Sequence, residues 1–276
     1  MKFRPAKKEF SLDDLPETRG KQFLDFFKTR PFLFLQIGLV ILLFALPFLL
    51  TFLVKYYAIL LPASKTMEEV EYLSFYKTTT LVFDLFYGIS FFFIFVALAG
   101  IGRIIRQWAW GEGIYFWHDF KKGTKQNIKV FSVYWFLFSL CFFLNDLVSF
   151  LITNVIAVYI ISGLILLLLP LMMMGLSQSL LYTNTFIKII ENSLFYCLKK
   201  PLMTLLFFIF GCGVMCLGLI DQIMIQAICY VALFLLIFPI LITGWHQVCL
   251  SIFDKYTNKE YYPNLYQKGL RGEFLK

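Results

Sequence analysis

The sequence predicts an all-α integral membrane protein, a polytopic bundle of six transmembrane helices in three hairpins with both termini in the cytoplasm. Three observations predict this fold class: the composition, the spacing of the apolar runs and the distribution of basic residues. Of the 276 residues, 60% are hydrophobic, 20% are aromatic and 15% are charged, with a mean hydropathy of +0.76. Soluble domains carry about 25% charged residues, so an ordinary soluble enzyme, a disordered chain and a disulfide-rich secreted domain are excluded.

The lengths of the apolar runs set the number of spans, because about 20 helical residues cross about 30 Å of hydrocarbon. The runs at 131–182 and 201–248 contain 52 and 48 residues, so each must fold back once. The polar pairs Thr153-Asn154 and Asp221-Gln222 mark the two reversals. The predicted spans are 31–54, 81–101, 131–152, 156–182, 201–220 and 223–248.

Lys and Arg are distributed unequally among the connecting segments. Alternate segments hold 22 of these residues against three in the segment 55–79. Basic loops resist translocation, so the rich segments are expected on the cytoplasmic side. The predicted organisation is a basic cytoplasmic N-terminal segment at 1–30, a transmembrane domain at 31–250 and a cytoplasmic tail at 251–276.

Proline and small residues predict local features of the spans. Pro47 and Pro170 lie inside predicted spans and are expected to kink them, because proline has no N–H and clashes with the carbonyl four residues earlier. Small residues in the second span, Gly100 and Gly102 among them, predict close approach of a neighbouring helix.

Two cytoplasmic stretches, 114–129 and 185–198, are predicted to be amphipathic helices that lie in the membrane surface. Their predicted partner is the layer of anionic headgroups, which attracts each nearby basic side chain by about 1 kcal/mol. A binding platform is the alternative role, and nucleic acid is not an expected partner. The candidate membrane-surface residues are Trp108, Trp110, Trp117, Lys121, Lys122, Lys125 and Lys129.

Each predicted hairpin contributes one aspartate near its outer end, and no Lys or Arg lies inside the predicted spans to pair with it. An ionised carboxylate in hydrocarbon is costly, so intramembrane acids face protein or water. We therefore predict an outward-facing polar vestibule that binds a cation, a proton or a hydroxyl-rich solute. Its candidate residues are Asp84, Asn145, Asp146, Asn154, Asp221, Gln222 and Gln226.

A purely structural interpretation of the three aspartates stays open. Asp221 would then be a solvated turn residue, Asp84 would cap its helix near the headgroups, and Asp146 would be protonated or bonded to a neighbouring helix. Asp146 is predicted to be the deepest of the three, which makes it the strongest functional candidate.

The residues for catalysis are few, so the chain is not expected to be an enzyme. His118 and His246 are too far apart in the chain to form an H-E-x-x-H zinc site, and no G-x-x-x-x-G-K-[ST] loop is present. The pair His118-Asp119 offers a general base, but adjacent residues point in different directions on a helix. No cofactor and no metal site are predicted.

Two motifs resemble a known family. The stretch WGEGIYFWHDFKKGTKQN at 110–127 resembles the signature that follows the second span in the YesL-like family of bacterial membrane proteins. The stretch ENSLFYCLKKP at 191–201 is similar to that family's approach to its fifth span. The long charged N-terminus departs from the family pattern, as does a Lys-Gly pair where many relatives have Phe-Lys. The resemblance implies a protein of the bacterial cytoplasmic membrane that accompanies carbohydrate uptake, and it supplies no catalytic residues.

Three functions are compatible with these features. The leading hypothesis is a non-enzymatic accessory or assembly component in carbohydrate or solute uptake, with a sugar permease complex or a second copy of the chain as partner. The alternative is a small secondary carrier or channel that uses the aspartate-lined vestibule. An intramembrane enzyme ranks third.

Overall fold

The computed structural model describes residues 15–63, 68–152, 154–215, 217, 220 and 222–273. Every regular element in this part of the chain is helical, which confirms the predicted all-α class. The α-helices are α1 (Arg19–Thr29), α2 (Pro31–Ala63), α3 (Glu69–Ala109), α4 (Phe116–Leu151), α5 (Val155–Leu166), α6 (Leu168–Ser179), α7 (Phe186–Lys199), α8 (Pro201–Met215), α9 (Ile223–Ala232), α10 (Phe238–Phe253) and α11 (Lys259–Tyr261). Two π-helical turns, Leu233–Ile237 and Asp254–Asn258, and a 3₁₀ turn, Arg271–Glu273, complete the elements.

Five helical stretches are long and apolar enough to cross a membrane: Pro31–Ile59, Val70–Ala109, Phe116–Leu151, Val155–Ser179 and Ile223–Tyr261. The chain is therefore compatible with a multi-pass membrane protein. The predicted fifth span corresponds to α8, of which 15 residues are described. The count of six spans is not shown by these helices and stays a prediction.

Two helices run well beyond the spans predicted for them. Helix α3 contains 41 residues and α4 contains 36, and the two pack against each other along much of their length. The predicted surface helix at 114–129 is therefore wrong as a separate element, because its residues form the first turns of α4. The side-chain amide of Asn127 donates to the Ala99 carbonyl at 3.0 Å, and Gly123 packs onto the backbone of Gly100. These contacts hold the segment against α3.

Proline shapes two of the apolar stretches. The helix predicted over 156–182 is interrupted at Leu167, where α5 ends and α6 begins. Pro170 cannot donate to the Leu166 carbonyl, which accounts for this break, whereas α2 runs unbroken past Pro47, where a kink was also expected. In the last stretch, Pro239 leaves the Leu235 carbonyl without its helical donor inside a π-helical turn. That carbonyl packs against Gly38 of α2, where an added Cβ would overlap it.

Small residues allow α3 to pack closely with its neighbours. A Cβ added at Gly100 would collide with the Phe120 ring, and one at Gly102 would collide with Leu180. The predicted close helix contact at these glycines is therefore confirmed. The main apolar core lies where α2, α3 and α4 meet, with the π-helical turn of Leu233–Ile237 packed against them.

The segment beyond residue 251 folds back onto the bundle, although the sequence predicts a tail there. Leu270 is buried, and the Arg271 backbone N–H donates to the Pro16 carbonyl at 3.1 Å. Lys268 pairs with Glu112 at 2.9 Å and lies over the Trp110 ring. Both described ends of the chain therefore meet beside the α3–α4 turn.

Candidate functional site

The structure brings two of the three predicted aspartates together. Asp84 lies about four turns past the start of α3, and Asp146 lies in the last two turns of α4. The two carboxyl groups interact electrostatically across the α3–α4 contact. The interpretation of Asp84 as a helix cap is wrong, because its helix begins at Glu69 and continues on both sides of it.

Lys55 is a member of this site that the sequence analysis placed outside it. Its helix, α2, continues unbroken through residue 55, and the apolar stretch containing it extends to Ile59. The Lys55 ammonium interacts electrostatically with both Asp84 and Asp146. Three helices thus contribute one charge each, and we call Lys55, Asp84 and Asp146 the Lys55 cluster.

Burial differs sharply within the Lys55 cluster. Asp84 is only 2% exposed, whereas Asp146 and Lys55 are half-buried. Neither Asp84 oxygen accepts a hydrogen bond from an N–H or O–H donor of the described residues. A carboxylate buried without hydrogen bonds is costly, so its charge must be balanced by its neighbours or by a bound species.

Aromatic rings form the apolar side of the Lys55 cluster. The Lys55 ammonium lies 5.5 Å from the centroid of the Tyr87 ring, a distance typical of a cation–π contact. Phe48 packs on Tyr87, with their ring centroids 5.2 Å apart. Phe48 also meets the Tyr230 ring edge-on at 5.5 Å, which brings α9 to the same place. Aromatic rings of α2, α3 and α9 therefore pack together next to the Lys55 ammonium.

A pair of hydroxyl groups lies about one turn further along the same helices. The side-chain oxygens of Thr51 and Ser90 are 3.1 Å apart, and each also lies within hydrogen-bond distance of a backbone carbonyl of its own helix. Each hydroxyl has a single proton, so one of them donates to the other hydroxyl and the second donates to its backbone carbonyl. This pair joins α2 to α3 below the charges.

The remaining predicted vestibule residues do not all join the Lys55 cluster. Asn145 donates to Asp146 at 3.2 Å, and the Gln226 side chain donates to the Leu217 carbonyl at 3.0 Å while also bonding Tyr230. Asn154 caps α5 by accepting from the N–H groups of Ile156 and Ala157, which is a structural role. Gln222 is exposed at the start of α9, and Asp221 lies outside the described residues.

The predicted membrane-surface residues differ in their exposure. Lys121, Lys122, Lys125 and Lys129 are all exposed on α4, and Trp117 is 60% exposed. Trp108 is buried against Phe26 at a ring-centroid distance of 4.5 Å, so its predicted surface position is wrong. Trp110 lies between the Arg106 guanidinium and the Lys268 ammonium, at 5.0 and 4.1 Å from its ring.

A second buried charged group lies at the end of the bundle where the described chain ends meet. Arg19 of α1, only 5% exposed, donates to Asp254 from Nη2 at 3.0 Å and from Nε at 3.3 Å. Its Nη1 donates to Gln22 and to the Ala109 carbonyl. Burial lowers the pKa of Arg19, and the Asp254 charge opposes that shift.

The partner of this arginine is itself fully bonded. The other Asp254 oxygen accepts from Asn258 at 2.8 Å and from the Gln267 N–H at 3.2 Å. Tyr182 in turn donates to Asn258 at 2.6 Å. We call the residues Arg19, Gln22, Tyr182, Asp254 and Asn258 the Arg19 network.

The two histidines do not form a catalytic site with their neighbours. His118 is exposed, whereas Asp119 is buried and accepts from the Tyr115 N–H at 2.8 Å and from Gln107 at 3.3 Å. Asp119 therefore caps the start of α4. His246 is buried in the bundle beside Ser177 and Ile105.

No family model, no curated protein and no solved structure matches this chain. The resemblance of the stretches 110–127 and 191–201 to the YesL-like family therefore stays a prediction. A function for the chain has to be inferred from the chemistry of the Lys55 cluster and from its position among the helices.

Proposed function

We propose that the protein is a small secondary carrier and that the Lys55 cluster is its binding site. The observation that carries this proposal is that Lys55, Asp84 and Asp146, from three apolar helices, interact at one place where Asp84 is buried and the other two are half-buried. Charges inside apolar helices are expensive and mark ion or solute pathways. The convergence supports a transport role over a purely structural one, because Asp84 makes no hydrogen bond to a described N–H or O–H donor.

We further propose six spans with both termini in the cytoplasm of a bacterial membrane, α8 being part of the fifth span. The distribution of basic residues, 22 against three, supports this topology. Under this topology the Lys55 cluster lies towards the outer face, since α2 leaves the membrane shortly after Lys55. Asp146, which is half-buried, is then the carboxyl group more accessible from outside, and Asp84 is the less accessible one.

The last apolar stretch supplies the flexibility that a carrier needs. It contains the π-helical turn Leu233–Ile237 and Pro239, both of which interrupt regular helical hydrogen bonding. Tyr230, one turn before this irregularity, packs against Phe48 beside the charges. A bend at Pro239 would therefore move one wall of the site.

An accessory role in carbohydrate uptake is the second proposal, with a sugar permease complex or a second copy as partner. Helix α7, outside the five apolar stretches, supports it by exposing Ile187, Leu194 and Leu198. Exposed apolar faces of this kind mark contact with protein or membrane. An intramembrane enzyme has weaker support, because Asp119 is occupied by helix capping and His246 is enclosed.

Flux through purified protein in liposomes tests the carrier proposal. Uptake of monovalent cations, and of sugars with and without them, is measured for the wild type, Asp84→Asn and Asp146→Asn. We expect uptake that both substitutions abolish, with Glu191→Gln as a matched control because Glu191 is an exposed carboxylate on α7. Absence of flux in the wild type, together with co-purification of a permease, would favour the accessory role.

We also propose that the bilayer's anionic headgroups contact the exposed lysines of α4. The four ammonium groups project from one end of an apolar helix, a placement that attracts anionic lipid by about 1 kcal/mol per side chain. Replacing Lys121, Lys122, Lys125 and Lys129 by Gln should remove the extra thermal stability that anionic over zwitterionic nanodiscs confer. Equal stabilisation of the variant and the wild type would contradict the proposal.

A further inference from the structure

The number of charges in the Lys55 cluster limits what it can hold. Two carboxylates and one ammonium leave a net charge of −1 when all three groups are ionised. The rings around them, Tyr87 and Tyr230, are neutral phenols in ordinary conditions and add no charge. One further positive charge would therefore make the buried cluster neutral, and a neutral cluster is far cheaper to bury.

The unbonded state of Asp84 indicates where that charge belongs. This side chain is 2% exposed, and no N–H or O–H donor of the described residues reaches either oxygen. It faces Asp146 from the neighbouring helix. Two carboxylates on facing helices provide up to four oxygen ligands, which suits a proton or an alkali cation.

We infer that the Lys55 cluster binds one exchangeable monovalent positive charge between Asp84 and Asp146, with Lys55 as a tethered counter-ion. In one state a proton is held between the two carboxyl groups. In the other, an alkali cation replaces it and the proton leaves to solvent, so the exchange is one for one and electroneutral. This inference rests on the proposed carrier function and names the substrate class of the same site.

Lys55 restricts the cluster to monovalent charge. Its ammonium is tethered by α2, lies 5.5 Å from the centroid of the Tyr87 ring and interacts electrostatically with both carboxyl groups, so in its charged form it offsets one of their two negative charges. Without that ammonium the two carboxylates would carry a net charge of −2, which a single divalent cation neutralises. Removal of Lys55 should therefore change selectivity from monovalent to divalent cations.

Variants that change the net charge step by step test this inference in the full-length protein in detergent. Binding of Na⁺, K⁺, Mg²⁺ and Ca²⁺ is measured by isothermal titration calorimetry, with proton release followed in weakly buffered solution. The wild type should bind Na⁺ or K⁺ and release one proton per cation. Lys55→Met should bind Mg²⁺ or Ca²⁺ at least about tenfold more tightly than the wild type, a difference of about 1.4 kcal/mol.

The second and third variants separate charge from local damage. Asp146→Asn has a net charge of zero and should lose cation binding, whereas Lys55→Met combined with Asp146→Asn restores −1 and should recover monovalent binding. Asp146 is half-buried, so these variants remain informative if Asp84→Asn fails to fold. Failure of the double variant to recover binding, or unchanged divalent affinity in Lys55→Met, would overturn the inference.

Cation binding in detergent and flux in liposomes can fail independently, so they test the inference and the carrier proposal separately. Cation binding with the expected selectivity changes, but without flux in liposomes, would support the inference and remove the carrier proposal. Flux of a sugar that is unaffected by cations and by all three charge changes would keep a carrier and overturn the inference. Glu191→Gln, remote from the cluster on α7, should match the wild type in both measurements.

Discussion

The Arg19 network and the Lys55 cluster are both buried groups of charged residues, yet their bonding differs. Asp254 accepts hydrogen bonds at both oxygens, and Arg19 donates from all three of its nitrogens. Asp84 is as deeply buried as either of them, but it receives none from a described N–H or O–H donor. The first group therefore has what a structural ion pair needs, and the second lacks it.

This difference suggests how to separate structural from functional charge in an apolar bundle. A buried ion pair offsets its desolvation only with good geometry and with every remaining lone pair bonded. The Arg19 network meets that condition and joins α1 to the end of α10. The Lys55 cluster does not meet it, so its burial is better explained by a bound proton or cation.

The largest loss of unfolding free energy is expected at the Arg19 network. Asp254→Ala leaves the Arg19 guanidinium buried without its counter-charge, which should cost about 3–5 kcal/mol of unfolding free energy. Thermal unfolding in detergent, followed by tryptophan fluorescence, provides the measurement. Lys21→Met is the control, because Lys21 lies on the same helix and is exposed.

A double variant sharpens the interpretation of that loss. Arg19→Met combined with Asp254→Leu removes both charges and fills similar volume, and such replacements are often neutral or stabilising. We expect it to regain most of the stability that Asp254→Ala loses. A double variant as unstable as Asp254→Ala would show that packing, not charge pairing, dominates at this end.

The next effect concerns the contact that couples the last apolar stretch to α2. In Gly38→Ala the new methyl group would overlap the Leu235 carbonyl, and overpacking of this kind costs about 1–3 kcal/mol. Gly163→Ala in α5 is the matched control, because nothing lies within 4 Å of its added Cβ. That control should be stabilised by up to about 1 kcal/mol. Equal behaviour of the two variants in thermal unfolding would contradict the close contact.

At the Lys55 cluster we expect a substitution to keep or raise the unfolding free energy, not to lower it. Asp84→Asn removes a buried charge that receives no hydrogen bond from a described donor, so stability should stay the same or rise by about 1–2 kcal/mol. Asp254→Asn, the same substitution at the bonded aspartate, should lower it. Thermal unfolding of the two variants side by side checks this contrast. If Asp84→Asn loses as much stability as Asp254→Asn, the two aspartates do not differ in the way proposed.

The smallest effect is expected at the surface near the Arg19 network. Glu17 pairs with Lys21 and with Arg271, and the hydrogen bond and charge of Lys21 lower the pKa of Glu17. The stability from this lowered pKa is fully present above the ordinary pKa of glutamate and is lost as the pH falls through the lowered value. Glu17→Gln should therefore be slightly less stable than the wild type at pH 7 and equal to it at pH 2. A difference that persists at pH 2 would be inconsistent with this linkage.

Much of the fold was predictable from the sequence, because span length and apolar composition depend on physical constants of the bilayer. The break before Pro170 was also predictable, since the missing N–H acts locally. The lengths of α3 and α4 were not. The 114–129 segment packs against α3 through Gly123 and Asn127. Contacts between helices that depend on single residues leave no periodic signal in one sequence.

The candidate site was predictable in part. The aspartates were visible as isolated charges in apolar runs, and the structure brings Asp84 to Asp146. Lys55 was missed because a charge at the end of an apolar run is normally a boundary, while here α2 continues beyond it. Tyr56 and Tyr57 directly after Lys55 were the available signal, because aromatic residues often continue a span into the membrane interface.

The Arg19–Asp254 pair joins residues 235 positions apart in the chain. During synthesis, α1 emerges from the ribosome long before α10 has been made. The Arg19 guanidinium therefore has no Asp254 carboxylate to pair with until late in synthesis. Insertion of the early spans can proceed, and α1 can already pack on α3 through Phe26 and Trp108, but its charged contact can form only after residue 254 has been made. Closure of this pair is thus a late event in biogenesis, and chains truncated before residue 254 should display an unpaired, buried Arg19 to the cell's quality-control proteases.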